Sequence, residues 1–141
     1  MEKIPTGHTR AEIKSREKLI MGFYSRWITE HPGRKVWNRN MSAYIYVKFI
    51  SFNETVEKAS RSYESTLAVL NLTEILEKAE KIGEQPAKKN VQNQKRFEKM
   101  IIMKYGNVKL TVGLQRSCQE FVQYCVTVPS NPNKNKTTTE K

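Results

Sequence analysis

The stretch Phe97-Glu-Lys-Met-Ile-Ile-Met-Lys-Tyr105, Gly106-Asn107, Val108-Lys-Leu-Thr-Val-Gly-Leu-Gln115, Arg116-Ser-Cys-Gln-Glu120, Phe121-Val-Gln-Tyr-Cys-Val-Thr-Val128 decides the fold. It reads as three strands joined by two short connections. Gly106-Asn107 suits a tight hairpin turn. In the second strand Val108, Leu110, Val112 and Leu114 alternate with Lys109, Thr111, Gly113 and Gln115, the period-two pattern of a half-buried strand. In the third, Val122, Tyr124, Val126 and Val128 alternate with Phe121, Gln123, Cys125 and Thr127. The expectation is an antiparallel meander with one face turned to helices.

Upstream, Thr9-Arg-Ala-Glu12 matches a capping box, in which a Thr side chain and a Glu three residues later satisfy the first free N–H groups of a helix. Ile13, Ile20, Phe23, Tyr24, Trp27 and Ile28 recur at helical spacing, and Pro32-Gly33 ends the run, so a helix is expected over residues 10–30. Arg34 to Asn40 reads as a basic, Asn-rich connector. Ala43 to Ile50 is rich in β-branched and aromatic residues and reads as a strand. Ser51 or Asn53 is expected to cap the next helix, which the Ser60–Ser65 segment interrupts. A further helix is expected over 66–82, re-capped near Asn71-Leu-Thr73 and stopped by Gly83. Residues 84–95 are polar and basic and read as a loop.

The fold class is therefore α+β: a long N-terminal helix followed by β-α-α-β-β-β, with one antiparallel sheet packed on helices. Residues 10–128 are read as a single domain, preceded by a flexible start over 1–9. From Pro129 onward no core-forming residue remains, and a disordered basic tail is expected over 129–141.

With 141 residues the chain has room for one core. No apolar run approaches the roughly 18 residues of a membrane span, and no apolar leader opens the sequence, so a cytoplasmic protein is expected. Cys118 and Cys125 form no Cys-x-x-Cys pair and no zinc spacing, which predicts free thiols. The net charge of +11 is unevenly distributed. Residues 1–39 carry +5 and residues 84–116 carry +6. Two such blocks suit a polyanion, because each Lys or Arg at a phosphate releases condensed counterions. The candidate nucleic-acid contacts are Arg34, Lys35, Arg39, Arg61, Lys88, Lys89, Lys95, Arg96 and Lys99.

The β-α-α-β-β-β order resembles the barnase/EndoU/colicin/RelE-like ribonuclease superfamily. Residues Ser51-Phe-Asn-Glu-Thr-Val-Glu-Lys-Ala-Ser60 and Phe121 to Thr127 are similar to accessory domains of that type carried on bacterial mobile elements. The RelE-like kind implies a site of Lys, Arg and Tyr, because cations stabilise charge building on a phosphate and a phenol or ammonium can move the proton. Lys109, Arg116, Lys104 and Tyr124 are the residues that such a site would use here. Strand parity sets Lys109 and Tyr124 on opposite faces, which makes Tyr124 a core aromatic. Lys109, Thr111, Gln115 and Gln123 would share a solvated outer face.

His8 and His31 lie near the ends of the first helix, and His31 is read as a local structural residue. Ser62 and Ser65 are read as helix caps rather than phosphate ligands. Trp27, Trp37, Tyr44 and Tyr46 are read as core rather than base-stacking residues. The leading expectation is a non-catalytic accessory module that binds RNA, DNA or another protein, without metal or cofactor. The alternative is a small metal-independent RelE-like ribonuclease.

Overall fold

A computed structural model describes residues 4–129. The expected tail and the first three residues lie outside that range. Along the chain come α1 (Arg10–Glu30), β1 (Lys35–Asn38), β2 (Ala43–Tyr46), α2 (Phe49–Ala59), α3 (Tyr63–Val69), α4 (Leu72–Lys78), β3 (Glu80–Pro86), a 3-10 turn (Gln92–Gln94), β4 (Phe97–Tyr105), β5 (Val108–Gln115) and β6 (Phe121–Thr127). The strands form one six-stranded sheet in the order β1-β2-β6-β5-β4-β3. It is antiparallel except where β2 runs parallel to β6, so the sheet is mixed rather than purely antiparallel. Among the described residues no helix is long and apolar enough to cross a membrane.

The capping box forms as its spacing predicts. Glu12 N–H donates to Thr9 Oγ1 at 3.2 Å, and Glu12 Oε1 accepts from the Thr9 hydroxyl at 2.7 Å. Those bonds hold the Glu12 carboxyl below its ordinary range. Ile20, Tyr24 and Trp27 then line the buried face of α1. At its end the His31 ring stacks on Trp27, with centroids 4.0 Å apart, and His31 Nδ1 lies 2.9 Å from the Trp27 carbonyl oxygen. Arg16 is fully buried, which the charge pattern does not announce. Its Nε donates to Ser60 O at 2.8 Å and its Nη1 to Pro5 O at 2.7 Å, so it ties residues 4–9 and the end of α2 to α1.

Two strands lie where none was expected: β1 falls in the stretch read as a connector, and β3 covers the end of the expected helix and the start of the expected loop. Lys35–Asn38 is too short and too basic to read as a strand, yet Val36 and Asn38 turn inward while Lys35 and Trp37 turn out. Glu80–Pro86 is a polar edge strand with six of its seven residues exposed, so it lacks the alternation that would betray it. Pro86 is tolerated there because an edge strand has one side with no ladder to break. Two expected elements also shrink. The strand read over 43–50 ends at Tyr46, because Lys48 is the N-cap of α2. Ser51 is not itself the cap: its hydroxyl reaches back to accept from Lys48 N–H at 2.9 Å. The helix read over 66–82 is re-capped at Asn71 as expected, giving α3 and α4, but it starts earlier, at Tyr63, and stops at Ala79 rather than Gly83.

The meander stands at its predicted positions. Gly106 has φ +62° at the first central position of the hairpin, where a type II′ turn needs a residue without a side chain. In β6, however, alternation breaks. Thr111 pairs with Cys125 and Val112 with Gln123, which leaves Tyr124 as an extra residue, a β-bulge. Gln123 therefore faces the helices, fully buried, accepting from Tyr24 OH at 2.7 Å and donating to Thr55 Oγ1 at 2.9 Å. The expectation of an outward Gln123 is corrected.

The sheet consequently buries both faces, unequally. Against α1, α3 and α4 lies the main core, which includes Ile45, Ile75, Leu76, Met103, Leu110, Val112 and Val126. On the opposite face a small cluster joins Ile50, Phe97, Met100, Val122 and Tyr124. Phe97 lies across Gly113, where an added Cβ would come within 2.6 Å of its ring. The ring is fully buried and edge-on to Tyr124, so it has nowhere to retreat. Gly113→Ala is expected to destabilise by about 1–3 kcal/mol, the usual cost of overpacking, measured by urea unfolding; a neutral result would contradict this packing.

Candidate nucleic-acid interface

The sheet face opposite α1 carries the exposed side chains that the β1–β2 hairpin presents. Register sets Lys35 opposite Tyr46 and Trp37 opposite Tyr44, and all four lie on this face because Val36, Ile45 and Asn38 are buried on the other. Trp37 is 48% exposed and Tyr44 43%. Their rings meet edge to face, with centroids 5.0 Å apart at 78°. Lys35 Nζ stands 4.4 Å from the Tyr44 ring centroid and 5.7 Å from that of Tyr46. Core packing is thus the correct reading for Trp27, which is buried, and is overturned for Trp37 and Tyr44.

Beyond Tyr46, Lys48 Nζ donates to Glu120 Oε1 at 2.6 Å and to Gln115 Oε1 at 2.7 Å. The bond from Lys48, with a second from the Cys118 thiol, holds the Glu120 carboxyl below its ordinary range. Lys48 is therefore matched, whereas Lys35 is in none of the ion pairs among the described residues.

The bulge reshapes the rest of this face. Tyr124, expected across the sheet from Lys109, comes to line the same groove, an opening of about 390 Å³ beside Glu54, Lys58, Lys88, Lys109 and Thr111. Glu54 is buried at its wall and accepts from Asn93 Nδ2. Burial first, and the nearby Glu54 charge second, push the Tyr124 phenol up to about 12 and the Cys125 thiol up to about 12. Both stay neutral at physiological pH, so neither is a ready base or nucleophile. Both cysteines are free thiols.

The other residues picked from the sequence scatter. Lys104 pairs directly with Lys109 across the β4–β5 ladder. Arg116 sits in the β5–β6 turn, where its guanidinium donates to Phe97 O at 2.9 Å. Lys109 and Arg116 therefore occupy opposite ends of β5, about 23 Å apart at the usual rise per residue, too far to share one phosphate. Lys88, Lys89, Lys95 and Arg96 are exposed in the segment that covers the small cluster, and so belong to this face. Arg34 is exposed at the entry to β1, in the left-handed region at φ +54°. Lys99 is bound to Glu84 at 3.3 Å and Arg61 to Glu57 at 3.3 Å. Ser62 caps α3 by accepting from Ser65 N–H at 3.0 Å. Arg39 lies at another corner of the sheet, beside Lys104 and Tyr105. Among the described residues no group of His, Cys, Asp and Glu could hold a metal ion.

The model of one protein family, described as large polyvalent protein-associated domain 3, matches residues 22–118. Neither the comparison with curated proteins nor that with solved structures found a match. The family match agrees with the accessory-domain part of the resemblance drawn from the sequence; a ribonuclease fold is not among what the comparisons returned.

Proposed function

The chain belongs to the large polyvalent protein-associated domain 3 family, and from that premise we propose that it is an accessory module that binds single-stranded nucleic acid. The observation that carries this reading is the pair of half-exposed rings, Trp37 and Tyr44, with the Lys35 ammonium beside them. Aromatic side chains on a basic face are the means by which single strands are held without sequence preference: bases stack and cations follow the backbone. The exposed Lys88, Lys89, Lys95 and Arg96 extend the positive charge along the same sheet face. α1 also carries a row of exposed cations, Arg10, Lys14 and Lys18, at four-residue spacing, but the half-exposed rings on which bases could stack lie on the β1–β2 hairpin.

Intrinsic fluorescence offers a direct test. The chain has two tryptophans, and Trp27 is buried with its indole N–H donated to Thr73 Oγ1 at 2.9 Å. Quenching by a short single-stranded oligonucleotide should therefore come from Trp37. Trp37→Ala should weaken binding by about 1–3 kcal/mol, the worth of one stacked base, and leave the melting temperature nearly unchanged. Unaltered affinity in that variant would overturn the reading, as would no binding at low ionic strength.

A further inference from the structure

The groove on this face has a charge balance that the stacking platform does not need. Its walls hold three ammonium groups, those of Lys58, Lys88 and Lys109, against one carboxylate, Glu54. Lys58 Nζ lies 3.9 Å from Glu54 Oε1 and offsets that charge, and Asn93 occupies the other carboxylate oxygen. Among the described residues Lys88 and Lys109 are in no ion pair. Tyr124 and Cys125 stay protonated and add no negative charge. The groove thus carries two uncompensated positive charges, with the hydroxyls of Thr111 and Thr127 on the same lining. Lys104, directly opposite Lys109 on the ladder, deepens the positive potential.

A phosphodiester in a strand bears one negative charge, whereas a phosphomonoester carries close to two at neutral pH and three strong acceptor oxygens. We propose that the groove between α2, the 85–94 segment and β5 is a phosphomonoester site. It rests on the proposed function in one respect: the monoester would then be the terminal phosphate of the bound strand. A free mononucleotide presents the same group, and the two sources are separable by experiment.

The test compares two oligonucleotides of one sequence, with a 5′-phosphate and with a 5′-hydroxyl, and a nucleoside 5′-monophosphate alone. The 5′-phosphate should tighten binding about tenfold or more, the worth of one or two charge-assisted bonds. Lys109→Gln should remove most of that gain while leaving the 5′-hydroxyl strand nearly unaffected; Lys88→Gln should remove most of it too, and weaken the 5′-hydroxyl strand only as far as the loss of one backbone cation does. Trp37→Ala should weaken both strands alike. Equal affinity for the two strands, together with no binding of the mononucleotide, overturns the groove site and leaves the stacking surface standing. If the mononucleotide binds and neither strand does, the groove site stands and single-strand binding falls. Gains that survive both lysine substitutions overturn the assignment of the groove.

Discussion

Asn38→Leu is expected to be the most destabilising single change on the hairpin, at about 3–5 kcal/mol. The Asn38 amide is fully buried and meets four backbone groups. Its Nδ2 donates to Leu76 O at 2.8 Å and Ala79 O at 3.0 Å, closing the end of α4. Its Oδ1 accepts from Asn40 N–H at 3.0 Å and Met41 N–H at 2.7 Å, forming the turn into β2. Leucine keeps the branched outline but is bulkier, has no polar atom, and leaves all four groups without this partner. Each bond is worth about 1 kcal/mol net, and a buried carbonyl left unsatisfied costs more than the bond returns. Asn38→Asp would keep the acceptor but press a carboxylate against two carbonyl oxygens, so it should be comparably severe. Urea unfolding measures both; a loss below about 1 kcal/mol for Asn38→Leu would refute the account.

The second large effect concerns binding. Reversing Lys89, Lys95 and Arg96 together to Glu, with Lys88 of the groove left in place, changes the charge of the exposed covering segment by six. If those cations lie along a strand backbone, affinity at low salt should fall by about two orders of magnitude or more. The slope of log K against log salt should also flatten, since single strands contribute about 0.7 per phosphate neutralised. The three side chains are exposed, so stability should change little. The loss should be the same for unrelated sequences. Affinity that does not depend on salt, in either protein, would show that the basic segment makes no backbone contact.

Much of the fold was legible because hydrophobic periodicity is a local signal. The Thr9 capping box, the apolar face of α1 and the alternation of β5 each sit within a few residues and appear where the pattern places them. What could not be read depends on partners distant in sequence. Lys35–Asn38 is a strand because Tyr44 and Ile45 lie beside it, and Glu80–Pro86 because β4 does. The bulge at Tyr124 is the sharper case. One unpaired residue exchanges the faces of everything before it in β6, so parity counted from Val126 gives the wrong side for Gln123 and Tyr124. The polarity of Gln123 argued for solvent, while its actual partners, Tyr24 and Thr55, lie 99 and 68 residues away. Of the candidate site, the basic segments could be found from charge alone. The exposure of Trp37 could not, because Trp at strand spacing usually means core. A Lys–x–Trp pattern in a short strand flanked by Arg34 and Arg39 is the signal that would have pointed outward.

The unequal burial of the sheet's two faces bears on how the molecule breathes. Among the described residues eighteen buried apolar side chains lock the helical side, whereas the other face has a cluster of five, on which the covering segment packs through Ala87. Local opening needs only the contacts it breaks, so the cover over residues 87–96 separates at a small fraction of the free energy that global unfolding demands. Its backbone amides should exchange with solvent hydrogen long before those of Leu110 or Val112 beneath it. A ligand meeting the groove thus meets a wall that opens and recloses many times within one lifetime of the folded state.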